Sequence, residues 1–194
     1  HRYGDLSVMA LDVGQGESVA LYTREKAVLV DCGSSNGYIS AGARAADQLE
    51  SMGIRRLSAV AVTHYHADHT NGLEELLARM PVERLLLPDI EDEYGVRDKL
   101  IALAQAQETE VIFVTQQQSI PLGECSLTVF PPVGSGDPNE QGLTYLCSSG
   151  SFDLLITGDM SGQTELELAR RYPLPDVEVL LVGHHGSKYS SQQE

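Results

Sequence analysis

Apolar residues recur along the chain in short runs separated by polar, Gly-rich turns, and two periods are visible. Residues 6–13 alternate loosely and predict a strand that ends in the turn Gly14-Gln15-Gly16. Residues 18–22 and 27–30 predict a strand pair joined by a polar turn. Residues 41–52 have helical composition, with Gly53 as the stop. Residues 57–63 are apolar and rich in β-branched side chains, the pattern of a buried strand. A short helix is predicted over 73–80, capped by Asn71 and ended by Pro81. Beyond it the pattern gives strands at 84–87, 111–114, 126–130, 144–147, 153–157 and 177–182, and helices at 96–108 and 164–172. Residues 131–142, rich in Pro, Gly and Asp, form the one long irregular segment. Helices fall between strands in both halves, which predicts an α/β fold of two sheets flanked by helices.

Length and composition narrow the picture. The 194 residues suffice for one domain with a real core, and no internal repeat or convincing boundary divides 1–194. No apolar run approaches the roughly 18 residues of a membrane-spanning helix, so direct membrane insertion by this chain is not expected. The three cysteines, Cys32, Cys125 and Cys147, make no disulfide framework; three semi-buried thiols, or one bridge and a free thiol, are the two readings. The formal charge is −15, from 13 Lys and Arg against 28 Asp and Glu. Such a surface repels nucleic acid and anionic lipid at long range, which argues against a passive DNA-binding module. It argues less against an enzyme whose bound metals reverse the local charge. The chain begins at His1 and stops at Glu194 after a Ser/Gln-rich stretch, and both ends read as cut from a longer protein.

The chemistry concentrates in His64-Tyr65-His66-Ala67-Asp68-His69, which follows the apolar strand directly. Residues i and i+2 of an extended chain point the same way, so His64 and His66 can grip one cation together. Asp68 and His69 can grip a second one nearby. Imidazole suits zinc and other borderline divalent metals, and a carboxylate adds charge and an oxygen ligand. A solvated His-rich turn is the competing reading, but three of the six histidines crowd into this one segment behind an apolar strand. Gly14-Gln15-Gly16 is not a phosphate loop, because no Gly-Lys-Ser/Thr follows it. It reads as a turn that approaches the metal site closely, with Asp12 and Gln15 hydrogen-bonding around it.

His-x-His-x-Asp-His behind a hydrophobic strand resembles the signature of the metallo-β-lactamase superfamily, and all four positions match. The resemblance implies an αββα sandwich, two mixed β-sheets flanked by helices, truncated here at its C-terminal end. It implies two divalent ions, Zn2+ first and Mn2+ as the alternative. Asp159, in the Gly158-Asp159 turn after a strand, resembles the carboxylate that bridges them. His184 resembles the late ligand of the second ion, with His185 as the fallback. Asp31 resembles the early aspartate that orients ligands through hydrogen bonds, although a turn-capping aspartate would look the same. The superfamily's middle histidine has no counterpart between His69 and Asp159, and Asn139 stands in that region. The first site would then be weaker, completed by water, or tolerant of manganese.

Asp12-Val13-Gly14-Gln15-Gly16-Glu17-Ser18 and Gly183-His184-His185-Gly186-Ser187-Lys188 resemble the ComEC branch. That family is the DNA-uptake channel of natural competence, and this chain would be its soluble metallo-β-lactamase-like domain. The branch implies attachment to a bacterial membrane protein and an extracytoplasmic position. It implies a phosphodiester substrate, DNA first, with His64, His66 and Asp159 holding one ion and Asp68, His69, Asp159 and His184 the other. Asp68 and Asp159 would be the catalytic carboxylates, with Asp68 orienting the attacking water. Ser187 and Lys188 are candidates for phosphate contacts, or else exposed solubilising residues. A small phosphoester hydrolase of the phosphorylcholine esterase kind, and a non-catalytic metal-bound domain of a channel protein, are the alternatives.

Overall fold

The computed structural model describes residues 6–186, except for the side chain of His185. Among these residues eleven strands fall into two sheets. The first runs in the order β1 (Ser7–Ala10), β2 (Val19–Tyr22), β3 (Ala27–Val30), β4 (Ala59–Ala61), β5 (Arg84–Pro88), β6 (Glu110–Val114). Its first three strands are antiparallel neighbours, and β3 to β6 are parallel. The second runs β11 (Val179–Leu181), β10 (Phe152–Ile156), β9 (Thr144–Ser149), β8 (Cys125–Phe130), β7 (Gln118–Leu122), antiparallel except where β10 meets β11.

Period-two alternation explains the layering. In β3, Val28 and Val30 face the second sheet, while Ala27 and Leu29 face the helices. Ala59 and Ala61 of β4 point into the same inter-sheet core as Leu127, Val129, Tyr145 and Ile156. The opposite face, with Val60, Val62, Leu85 and Leu87, is covered by α1 (Ala41–Ser51), α3 (Leu73–Arg79) and α4 (Val96–Ala106). Phe130, Leu146 and Leu155 on the outer face of the second sheet pack on Leu168 of α5 (Gly162–Arg171). The result is helix, sheet, sheet, helix, as the resemblance implies. The Tyr145 hydroxyl crosses the interface and donates to the Val62 carbonyl at 2.8 Å.

Several local expectations need correction. Strand β7 escapes the sequence pattern because it contains Pro121. It is an edge strand paired only with β8, where a missing N–H is tolerated. The residue flanking α3 is Gly72, and Asn71 does not cap the helix. Its amide instead grips the Ser34 backbone, accepting from the N–H at 3.0 Å and donating to the carbonyl at 2.6 Å. A tertiary pairing has outcompeted the local cap. The irregular stretch 131–142 contains a 3-10 turn, Pro138–Gln141, capped by Asp137. All three cysteines are buried and free, and burial pushes the thiols of Cys32 and Cys147 up to about 12, so they stay protonated. Among the described residues no helix is long and apolar enough to cross a membrane.

Candidate metal centre

The site lies at the C-terminal ends of the parallel strands β3 and β4, where loops can diverge from the sheet. Strand β3 delivers Asp31 and β4 delivers Thr63 and His64. Asp31 is buried with φ at 56°, a left-handed conformation that a non-glycine residue adopts at a cost of about 1–3 kcal/mol. What holds it there is visible. Its Oδ1 accepts from the Thr63 N–H at 2.8 Å, and its Oδ2 accepts from the Thr63 hydroxyl at 2.6 Å and lies 2.7 Å from His69 Nδ1.

These bonds fix the protons. An ionised carboxylate only accepts, so His69 Nδ1 carries a hydrogen. The single Thr63 hydroxyl hydrogen goes to Asp31, so the 3.0 Å contact with His64 Nδ1 has the imidazole donating. Both rings therefore have Nδ1 engaged and Nε2 left as the ligand atom. Asp31 thus contacts His69 directly and reaches His64 through Thr63. Thr63, His64, His69 and Asp31 are all fully shielded from solvent.

Asp159 arrives from the other sheet, after β10. His69 Nε2 lies 3.3 Å from Asp159 Oδ1. His64, His69 and Asp159 each offer a ligand atom within 4.8 Å of the others, and Glu17, Asp31 and His69 do the same. The first group takes His64 from one half of the expected ligand division and His69 from the other, with Asp159, which was expected in both. Among the described residues His66, Asp68 and His184 belong to neither group. The chain turns helical at α2 (Ala67–Thr70), immediately after His66. His69 thereby swings back beside His64, their ring centroids 4.1 Å apart, while half-buried His66 packs edge-on against His64 at 4.7 Å. Asp68, in the first turn of α2, stays half-buried. His184 follows β11 in a short helical turn, α6 (Gly183–Gly186), with φ at 52° and an exposed side chain. Its N–H donates to Asp159 Oδ1 at 3.1 Å and to the Gly158 carbonyl at 3.2 Å.

Other expected residues fall at differing distances from this centre. The Gly14-Gln15-Gly16 turn does run against it. A Cβ on Gly16 would meet the Asp68 carbonyl at 2.7 Å, and one on Gly33 would meet the His69 nitrogen at 2.4 Å. Glu17 N–H donates to the Asp68 carbonyl and Cys32 N–H to that of His69, so the three loops are knitted by backbone. The exposed Asp12 carboxylate accepts from the Gly14 N–H of this turn at 3.3 Å and pairs with Arg44 of α1 at 3.2 Å. The exposed Gln15 contributes its carbonyl, not its amide, to the Ser34–Ser35 turn. Asn139 has a buried Oδ1 with no hydrogen-bond partner among the described residues, and Leu143 N–H anchors this loop to the Thr63 carbonyl at 2.9 Å. Ser187 and Lys188 lie outside the described residues, as does the side chain of His185.

Three residues were not singled out by sequence reasoning. Thr63 carried no signal beyond its place before His64. Glu140 accepts from the N–H and hydroxyl of Ser161 and from the hydroxyl of Thr164, tying the Asn139 turn to the start of α5 just beyond Asp159. Glu17 lies in the quoted Gly16-Glu17-Ser18 stretch. Burial, and then the negative charge of Asp31, raise its carboxyl to about 8, with Oε1 buried and without a hydrogen-bond partner among the described residues. Burial opposes charge on the His69 ring, yet Asp31, Asp159 and Glu17 lift its pKa to about 11. A buried cluster this rich in carboxylates is costly without a cation. The donor set, two oriented imidazoles with carboxylates, fits a divalent metal ion.

A family model for the metallo-beta-lactamase superfamily matches residues 11–194. The chain belongs to this superfamily. It is 28% identical over 202 residues to ComE operon protein 3 of Bacillus subtilis, covering 95% of this chain and 26% of that protein. It is 25% identical over 188 residues to competence protein ComA of Neisseria gonorrhoeae, covering 96% and 25%. The chain thus spans about a quarter of the length of these curated relatives. A metallo-beta-lactamase with an HARLDQ motif from Cronobacter sakazakii superposes with a TM-score of 0.65 at 18% identity, over 92% of this chain and 75% of that one. That likeness carries the fold: two mixed sheets with flanking helices.

Proposed function

We propose that this superfamily hydrolase domain is a metal-dependent phosphodiesterase that cleaves DNA as part of a competence protein. The observation that carries the catalytic reading is the Asp31–Thr63 lattice, which presents His64 and His69 beside Asp159 with their proton positions fixed. His64, His69 and Asp159 would form the heart of a two-ion centre, with His66, Asp68 and His184 closing around it. Bound Zn2+ or Mn2+ would supply a water of lowered pKa and neutralise phosphoryl charge. The chain's own residues contribute the rest. Asp31 keeps His69 oriented, Glu140 holds the Asn139 turn against the loop of Asp159, and Asp68 would orient the attacking water. The competence assignment rests on the ComEC-like stretches around Gly14 and His184 and on the named relatives. It implies a domain carried by a membrane protein on the extracytoplasmic side.

The charge of −15 favours a second reading, a small phosphoester as substrate. Metal analysis of the purified protein, paired with cleavage assays on single-stranded DNA and on bis-p-nitrophenyl phosphate, separates the two. Cleavage of DNA with Zn2+ or Mn2+ that disappears in Asp159→Ala is the expected result. Turnover of the small ester alone would replace DNA with the second reading. Tight metal with neither activity would leave a non-catalytic domain.

A further inference from the structure

A second concavity opens on the same edge of the sandwich. It has a volume of about 540 Å³, within the roughly 300–1,000 Å³ of small-molecule sites. It lies beyond the C-terminal ends of β5 and β6 and reaches across to the end of α5. Two short links join it to the metal centre. Asp89 and Ile90 in its wall follow Pro88, whose carbonyl accepts the hydroxyl of Tyr65, the residue between His64 and His66. Gln141 in its wall belongs to the same 3-10 turn as Asn139.

The lining has an unusual balance for so acidic a chain. Arg171 faces the pocket and makes no hydrogen bond or ion pair with another described residue. The carboxylate in the wall, Asp89, lies 3.6 Å from Arg97 and is partly neutralised by it. The pocket thus presents an uncompensated guanidinium, the group best suited to a phosphate. Gln116 and Gln117 are exposed in the loop after β6, and their amides are likewise uncommitted. Amides offer donor and acceptor together, which is what the edge of a nucleobase presents. Pro131, Pro132 and Tyr172 supply flat apolar surface, and the Tyr172 ring is braced by Phe130 with centroids 4.8 Å apart.

We infer that this pocket is a subsite for one nucleotide unit of a single-stranded polynucleotide, with Arg171 on its phosphate and Gln116 and Gln117 on its base. The inference rests on the phosphodiesterase reading and extends it: the scissile phosphate sits at the metal centre and a neighbouring nucleotide sits here. Global charge repels the polynucleotide, and a local cation beside the centre offsets that repulsion where the strand must lie.

The test uses a fluorescently labelled single-stranded oligodeoxynucleotide and bis-p-nitrophenyl phosphate, which is too short to reach the pocket. Arg171→Ala and Gln116→Ala/Gln117→Ala are expected to raise KM for the oligonucleotide by about tenfold, the effect of one charge-assisted contact, with kcat little changed. Turnover of the small ester should be unchanged. Equal loss on both substrates, or no change on the oligonucleotide, overturns the subsite. Fluorescence anisotropy on chelator-treated protein gives a readout independent of catalysis. Binding that weakens by a similar factor in Arg171→Ala supports the subsite even if hydrolysis fails. Absence of binding by the unsubstituted protein overturns it. Failure to cleave either substrate, with binding intact, sinks the phosphodiesterase reading alone.

Discussion

The two walls of the candidate metal centre are built differently. One wall, from the first sheet, is Asp31, Thr63, His64 and His69, fully buried and tied to one another by hydrogen bonds. The other, as proposed above, has half-buried His66 and Asp68 and exposed His184, whose backbone N–H donates to Asp159. The difference separates two tasks. The buried wall is preorganised, so it pays little at the moment of ion binding. The open wall leaves side chains accessible to water and substrate. Asp159 lies between them, coming from the second sheet yet meeting His69 of the first.

The contrast can be broken hardest at Asp31. Asp31→Ala removes the acceptor of the Thr63 N–H and hydroxyl and the partner of His69, and should destabilise the fold by about 3–5 kcal/mol. Urea denaturation measures this; a loss below about 1 kcal/mol would show that the lattice is not what holds the wall. Asp159→Ala should weaken metal binding by about a hundredfold or more while sparing the fold, because the residue closes the donor group without supporting the lattice. Calorimetric titration with Zn2+ reads the affinity, and circular dichroism reads the fold.

A pH series sharpens the comparison further. The folded-state values of Glu17 and His69 both exceed their ordinary ones, 4.5 and 6.5, reaching about 8 and about 11. The folded state then binds more protons than the unfolded state within these windows, so unfolding free energy falls as pH rises. Chelator-treated protein should lose thermal stability steadily from about pH 5 upward, first through Glu17 and then through His69. Glu17→Gln should flatten the lower part of that slope. Bound metal competes with the same protons and should remove the trend. A stability that rises with pH in metal-free protein would contradict the buried-carboxylate account.

Smaller effects bracket the site. Tyr145→Phe removes the hydroxyl that joins the sheets at Val62 and should cost about 1 kcal/mol, seen as a lower urea midpoint. Asp12→Ala breaks the exposed pair with Arg44 and the long bond from the Gly14 N–H, and should change stability by about 1 kcal/mol or less, with metal affinity unaltered. A large loss of metal binding there would restore Asp12 to the site, where the turn sequence alone had put it.

Much of this was legible before folding. The apolar run before His64 announced its strand because a strand buried on both faces needs continuous apolar residues. The cluster 64–69 announced a metal site because imidazoles and a carboxylate are rarely crowded together otherwise. The early aspartate, Asp31, was singled out through its resemblance to the superfamily, but its bonds to His69 and Thr63 became visible only in the fold. Strand β7 was hidden by Pro121, whose cost depends on whether it stands at an edge, a fact of tertiary arrangement.

What the sequence by itself determined is therefore the class of chemistry and the layers of the fold. Both follow from residue types at short spacings, where the chain's own periodicity decides which side chains share a face. What only the tertiary structure decided is the grouping of the ligands. Whether His69 pairs with His66 or with His64 depends on where α2 begins. Whether Glu17, Asp31 and Asp159 meet depends on two sheets bringing residues 17, 31 and 159 together. Contacts across such separations are set by packing, and no local pattern encodes them.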